Sequence, residues 1–183
     1  ALKIFHHGSP VVLSRRVPLL ENMGFRVIAE RTYENTGVDG HVIFIHDMEL
    51  ENAFDAAIDL SDGGALFEEM FGAVWHGDAD NDTYNALVQT ARLSSSEIII
   101  LRAYGRYLQQ AGIPYSQDFI AAALNRYPDI ARQLYAMFVT RLDPTRHSDN
   151  ERDGAVKRVA GKIEAALQDV PSLDDDRIVR RYR

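Results

Sequence analysis

The 183-residue chain contains no cysteine and only three lysines. The absence of cysteine excludes disulfides, thiolate metal sites and a thiol nucleophile. The formal net charge is -7, and nucleic acid is not an expected partner because phosphate contacts need a basic face. No apolar run approaches the roughly 18 residues of a membrane-spanning helix, and no signal-peptide pattern occurs. We therefore expect a soluble, cytoplasmic protein that binds neither nucleic acid nor membrane.

Hydrophobic residues make up 46% of the chain, which is enough to build a substantial core. The length suits one ordinary domain or two small ones. The chain enters an apolar strand pattern at once and stops inside an amphipathic stretch. We therefore expect it to be a piece of a larger protein.

The first 46 residues carry a β-α-β-β pattern. Apolar and polar residues alternate in "LKIFHH", "RVIAERTYE" and "HVIFIHD", which predicts three strands. Helical spacing lies between the first two, and Pro18 predicts that this helix begins late, near Arg16 or Val17. Apolar residues on both faces of "HVIFIHD" predict that both faces of the sheet are covered. The fold class is α+β, with a partial ferredoxin-like unit and a small antiparallel sheet.

The period of the apolar residues becomes helical from about residue 61. Ser94 with Glu97, and Ser148 with Glu151, have the spacing of capping boxes. Residues 143–154 are polar and without periodicity, which predicts a linker. We predict four segments: an α+β module over 1–60, a helical domain over 61–142, a linker over 143–154 and a helix over 155–183.

Three alternating aspartates in "GDADNDTYNAL" resemble the start of an EF-hand calcium loop. Asp78, Asp80 and Asp82 occupy positions 1, 3 and 5 of that pattern. However, Thr83 replaces the glycine of position 6 and Gln89 replaces the bidentate glutamate of position 12. We therefore predict no calcium site, and expect Asp82 to cap the following helix.

The remaining motifs of common catalytic and metal sites are missing or incomplete. No pair among His6, His7, His41 and His46 has the i, i+4 spacing of a helical zinc site. We predict that these histidines lie at the surface or on edge strands. The G-x-S-x-G, G-x-G-x-x-G and G-x-x-x-x-G-K patterns do not occur. The residues therefore give no catalytic, cofactor-binding or metal-binding site.

Five segments nevertheless resemble one family, the large NAD-specific glutamate dehydrogenases of bacteria. These segments are "GSPVVLSRRVPLLENMGFRVIAERTYE", "VIFIHDMELE", "FEEMFGAVWHGDADNDTYNALV", "LRAYGRYLQQAGIPYSQDFIAAALNRYP" and "DVPSLDDDRIVRRY". The resemblance runs from about Lys3 to Tyr182. It implies that residues 1–60 are an ACT-like module and that the helical part leads toward a catalytic domain outside this chain.

The resemblance also implies where chemistry and regulation are located. The family oxidatively deaminates L-glutamate to 2-oxoglutarate with NAD, using lysines at the active site. The only lysines here are Lys3, Lys157 and Lys162, so no catalytic residue can be carried over.

ACT modules commonly bind amino acids near the loop after the first strand, which places effector-binding residues at Gly8 and Ser9. We expect a non-catalytic regulatory or assembly region, with the catalytic domain and sister subunits as partners. The alternative is a stand-alone module that binds a small ligand or another protein. We also expect residues 174–183 to be frayed or held by another copy of the chain.

Overall fold

The structure is a computed structural model that describes residues 1–58, 60 and 63–183. A three-stranded antiparallel sheet is followed by a helical part. The elements in chain order are β1 (Leu2–His7), α1 (Leu13–Asn22), β2 (Phe25–Thr36), β3 (Val42–Asn52), α2 (Gly63–His76), α3 (Leu87–Thr90), α4 (Ser95–Gln110), α5 (Gln117–Arg126), α6 (Pro128–Leu142), α7 (Asp149–Leu167) and α8 (Leu173–Tyr182). A short 3-10 turn, Thr83–Ala86, leads into α3.

The sheet has the order β1-β3-β2, which puts β3 in the centre. The predicted β-α-β-β order and the α+β class are confirmed. Only one face is covered by the described residues, the face on which Met48 and Phe25 are buried. On the other face Phe5 and Tyr33 flank Ile45 in register and are 65% and 49% exposed. The prediction that both faces are covered is wrong for this part of the chain.

Helix α1 begins at Leu13, so the predicted late start near Arg16 or Val17 is wrong, and Pro18 lies inside the helix. Proline removes the hydrogen bond that the carbonyl of Ser14 would accept. Both residues are exposed, where water can satisfy that carbonyl. Buried Arg16 and Leu19 hold the two ends of this turn in the core, and tertiary packing therefore overrides the local cost.

Capping residues explain where several helices begin. The predicted capping box of Ser94 and Glu97 starts α4, and the Ser116 side chain caps α5. The second capping box starts α7 at Asp149. Residues 149–154 therefore belong to a helix, and the predicted linker 143–154 is wrong in its second half. Residues 150–154 are exposed or half-buried, which accounts for the polar composition there, and Ala155 is the first residue of α7 that is described as buried.

The end of the chain forms a separate helix, α8, that docks on its own domain. Ile178 and Val179 are fully buried. The Tyr182 hydroxyl donates to the Leu101 carbonyl of α4 at 3.1 Å, and Gly105 of the same helix leaves room for it. The prediction that residues 174–183 are frayed or held by another copy is wrong. Within the segment predicted over 155–183, α7 ends at Leu167 and α8 begins at Leu173. None of the described helices is long and apolar enough to cross a membrane.

Candidate functional site

The loop between β1 and α1 carries the two predicted effector residues. Gly8 has a φ of +82°, and its N–H donates to the Val42 carbonyl of β3 at 2.8 Å. The Ser9 carbonyl lies 2.7 Å from Nδ1 of His6. Gly8 and Ser9 are both exposed. The turn is therefore fixed by its backbone, while Gly8 and Ser9 face solvent.

A buried polar cluster lies behind this loop and consists of Arg16, Glu30 and His46. The exposed fractions are 3% for Arg16 and 0% for His46, and 13% for the Glu30 side chain. Arg16 forms an ion pair with Glu30 and donates to the Val11 carbonyl. The Val11 N–H donates to Nε2 of His46 at 3.0 Å. Both backbone groups of Val11 are therefore bound to the cluster, which anchors the end of the loop at the centre of the sheet.

The contacts of the cluster surround both ring nitrogens of His46. Nε2 accepts from the Val11 N–H, and Nδ1 lies 2.7 Å from a guanidinium nitrogen of Arg16. Nδ1 is also 3.1 Å from the Glu30 carboxylate. Burial raises the pKa of Glu30, but hydrogen bonds from Arg16, Thr32 and His46 outweigh it and place the pKa below its usual range. Glu30 is therefore held as an anion beside the buried guanidinium of Arg16.

The surface or edge-strand position predicted for His46 is wrong. Apolar alternation in "HVIFIHD" indicated a strand, but the sequence did not show that β3 is central. A usable indication is the position of Arg16, which shares the buried stripe of α1 with Leu19, Leu20 and Met23. A permanent cation on an apolar helix face requires a buried acceptor.

The other histidines of the sheet have different surroundings. His7 Nε2 and His41 Nδ1 are 3.1 Å apart on the exposed side, and the His6 ring meets the edge of Trp75. Within the described ranges, no group of three histidine or acidic side chains is arranged to hold a metal ion.

Two of the three aspartates of residues 78–82 hold the helical part together through their side chains. Asp82 caps the 3-10 turn by accepting from the Tyr84 N–H at 3.1 Å, which confirms the predicted capping role. Its carboxylate also accepts from Nε of Arg102 at 2.8 Å. Asp80 pairs with Arg106 at 2.8 Å. These ion pairs tie the turn to α4.

A tight junction joins the sheet module to the helical part. Nε2 of Gln89, on α3, donates to the Gly24 carbonyl at 2.7 Å. Gly24 has a φ of +86°, and a Cβ there would lie 2.7 Å from Phe54 and 2.8 Å from Gln89 Nε2. The rings of Phe25 and Phe67 meet edge to face at 5.2 Å. A side chain at position 24 would have to displace Phe54 and Gln89, and the two modules share one core.

Fold and site together define a partial ferredoxin-like α+β module that is packed on a helical module. Residues 1–62 match the model of the glutamate dehydrogenase ACT3 domain, and residues 79–144 match that of glutamate dehydrogenase helical motif 3. The chain therefore belongs to the glutamate dehydrogenase family and comprises an ACT3 domain and a helical motif 3 of that family.

Three curated relatives, each called NAD-specific glutamate dehydrogenase, match almost the whole chain. The protein of Halomonas elongata is 41% identical over 181 residues, or 99% of this chain. The protein of Pseudomonas aeruginosa is 36% identical over 181 residues, or 98% of the chain. The protein of Mycobacterium tuberculosis is 34% identical over 186 residues, or 97% of the chain. The chain spans about 11% of the length of each relative.

Proposed function

We propose that this chain is a non-catalytic regulatory and assembly region. In this proposal the full-length protein is a cytoplasmic enzyme that oxidatively deaminates L-glutamate to 2-oxoglutarate with NAD. The region acts on the catalytic domain of the same polypeptide and on sister subunits. The names of the relatives support this proposal, as does the small share of each relative that the chain matches.

The junction at Gly24 is the observation that carries a regulatory or assembly role. The Gln89 amide donates to the carbonyls of both Met23 and Gly24, so α1 and α3 cannot move independently without losing these bonds. A ligand or a subunit that displaces α1 therefore displaces the helical part as well. A shift of one tightly packed element moves its neighbours, because a packed core changes between discrete arrangements and does not deform gradually.

We also propose that Gly8 and Ser9 contact an amino-acid effector. The loop is exposed, and the buried cluster of Arg16, Glu30 and His46 fixes its far end through Val11. A loop held in one conformation loses less entropy when it binds a ligand. Binding at this loop is connected to α1, which begins two residues after Val11.

The proposal that this chain is not catalytic is tested by comparing the isolated chain with the full-length protein. We expect NADH formation from L-glutamate and NAD only with the full-length protein, and no saturable NAD binding by the isolated chain in calorimetry. NADH formation in proportion to the concentration of the isolated chain would show that this region is catalytic.

A further inference from the structure

The outer edge of β1 has no partner strand among the described residues, because the sheet has the order β1-β3-β2. The Gly8 N–H donates to the Val42 carbonyl of β3 at 2.8 Å, and these two residues continue the register of β1 on β3. Hydrogen-bonded and non-hydrogen-bonded pairs alternate along an antiparallel ladder. The N–H and C=O groups of Lys3, Phe5 and His7 therefore point away from β3, toward the open edge.

These outward backbone groups are free to bind a further strand. In the part of the chain that the structure describes, no hydrogen bond joins the backbone of Lys3, Phe5 or His7 to another residue. A row of unpaired N–H and C=O groups on an edge strand is a template for pairing. An extended segment that is added there gains a main-chain hydrogen bond at each of these groups.

The side chains at this edge also leave apolar surface uncovered. On the inner face of β1, Leu2 and Ile4 are only half-buried against the core. The Trp75 ring of α2, which meets His6 of the same face, is half-buried as well. On the outer face Phe5 is 65% exposed. A strand with apolar side chains at alternate positions would cover the inner residues, since successive side chains point to opposite faces.

The opposite edge of the sheet, on β2, suits a further strand less well. The Gly37 N–H donates to the His41 carbonyl at 2.9 Å, which fixes the alternation on that side. On β1 only Lys3 carries a permanent charge, and it is paired with Asp47 of β3 at 3.7 Å. Polar and charged side chains along an edge oppose strand addition. The outward backbone groups of β2 belong to exposed polar residues, which are Thr32, Glu34 and Thr36.

The added strand has to come from outside the described residues. A complete ferredoxin-like unit returns to its sheet after the second helix. Here the 3-10 turn and α3 follow α2, and their residues Tyr84 and Leu87 are buried in the core instead. Two copies of the chain, each with a formal net charge of -7, repel one another. The chain spans only about 11% of each relative, so a longer polypeptide offers many other segments.

We infer that an extended segment of the full-length polypeptide, from outside residues 1–183, pairs with β1 as the fourth strand of this sheet. Its backbone bonds the outward groups of Lys3, Phe5 and His7, and its inward apolar side chains cover Leu2 and Ile4. The inference rests on the proposed assembly role, because it names the surface through which this region joins the rest of the enzyme.

Hydrogen exchange resolved to single amides tests the inference by comparing the isolated chain with the full-length protein. In the isolated chain we expect fast exchange at Lys3, Phe5 and His7. Exchange at Ile4 and His6 should be slow, because their N–H groups point to β3. In the full-length protein the three outward amides should slow by roughly tenfold or more, because each gains a hydrogen bond.

Two substitutions at Phe5 in the full-length protein probe the edge directly. Phe5→Pro removes an outward N–H and leaves the hydrogen bonds to β3 intact, as proline does on an edge strand. Phe5→Lys keeps the backbone and puts a charge at an exposed edge position, so it serves if the proline variant fails to fold. Either change should return the amides of Lys3 and His7 to fast exchange. Glu34→Pro, at an outward position of β2, is the matched control and should leave them slow.

Fast exchange at Lys3, Phe5 and His7 in the full-length protein would overturn the inference, as would protection that neither substitution of Phe5 reduces. Slow exchange at these amides in the isolated chain would overturn it too. In a chain that sediments as a monomer it would mean that the chain covers its own edge, and in a dimer that a second copy does. If the substitutions remove the protection while assembly and effector response stay unchanged, the inference holds and the proposed assembly role alone is refuted.

Discussion

Substitution of Gly24 by alanine should weaken the junction between the two modules more than a left-handed glycine elsewhere would. Gly24 has a φ of +86°, and Gly112 has a φ of +91°. An alanine in this conformation costs about 1–2 kcal/mol at either position. A Cβ at Gly112 meets nothing within 4 Å, whereas a Cβ at Gly24 lies 2.7 Å from Phe54 and 2.8 Å from Gln89 Nε2. The difference between the two variants therefore isolates the junction contact.

The magnitude of that difference follows from what must move. Gln89 Nε2 donates to the Gly24 carbonyl at 2.7 Å, and displacing it costs about 1 kcal/mol for the lost hydrogen bond. Shifting the Phe54 ring adds about 1–2 kcal/mol of overpacking. We expect Gly24→Ala to lower the free energy of unfolding by about 3–5 kcal/mol, and Gly112→Ala by about 1–2 kcal/mol.

Urea unfolding of the 183-residue chain, followed by circular dichroism, measures both values. Adding Gln89→Ala to Gly24→Ala should recover part of the loss, because the shorter side chain leaves room for the new methyl group. Equal destabilisation by Gly24→Ala and Gly112→Ala would refute the reasoning, since it would mean that the junction does not constrain position 24.

Three further predictions concern other parts of the chain. Gly105→Ala should lower the free energy of unfolding by about 1–3 kcal/mol, because its Cβ would lie 2.0 Å from the Tyr84 hydroxyl. Gly161→Ala has open space around it in α7 and should raise the free energy of unfolding by about 0.5–1 kcal/mol. Urea unfolding that ranks the two variants the other way would contradict the packing of α8. The pKa of Glu30 is lowered in the folded state, so its contribution to the free energy of unfolding is present above pH 4.5, the usual pKa, and is lost as pH falls through the lower pKa of the folded state. The free energy of unfolding of Glu30→Gln should therefore depend less on pH below about 4.5. Identical pH profiles of the two proteins would refute the ion pair. Hydrogen exchange in a monomer should be slow at Ile178 and Val179, since both are fully buried; fast exchange there would favour a frayed end.

Local patterns in the sequence predicted much of the fold. The capping boxes at Ser94 and Ser148 start helices as predicted, because a cap is a contact between residues three apart. The helix inferred to begin late at Pro18 shows the limit of such reasoning. Arg16 and Leu19 are buried by contacts with distant parts of the chain, and local helix propensity does not report such contacts.

Less of the candidate site could be predicted from the sequence. The family resemblance suggested Gly8 as an effector residue, which stays a prediction, and the bond from Gly8 to Val42 depends on the strand order. The cluster behind it needs three elements, since Arg16 comes from α1, Glu30 from β2 and His46 from β3. The docking of α8 likewise depends on the space above Gly105, which lies about 70 residues away in the sequence and is a matter of tertiary packing.

The central claim is that this region controls the enzyme through the junction at Gly24 and takes no part in the chemistry. The most direct measurement is the kinetics and the subunit mass of the full-length protein carrying Gly24→Ala, beside the same protein carrying Gly112→Ala. The account predicts that Gly24→Ala alters assembly or the response to amino-acid effectors, while kcat of the assembled enzyme at saturating L-glutamate and NAD stays that of the Gly112→Ala protein. A loss of kcat in a fully assembled Gly24→Ala enzyme, or two variants with the same assembly and effector response, would contradict it.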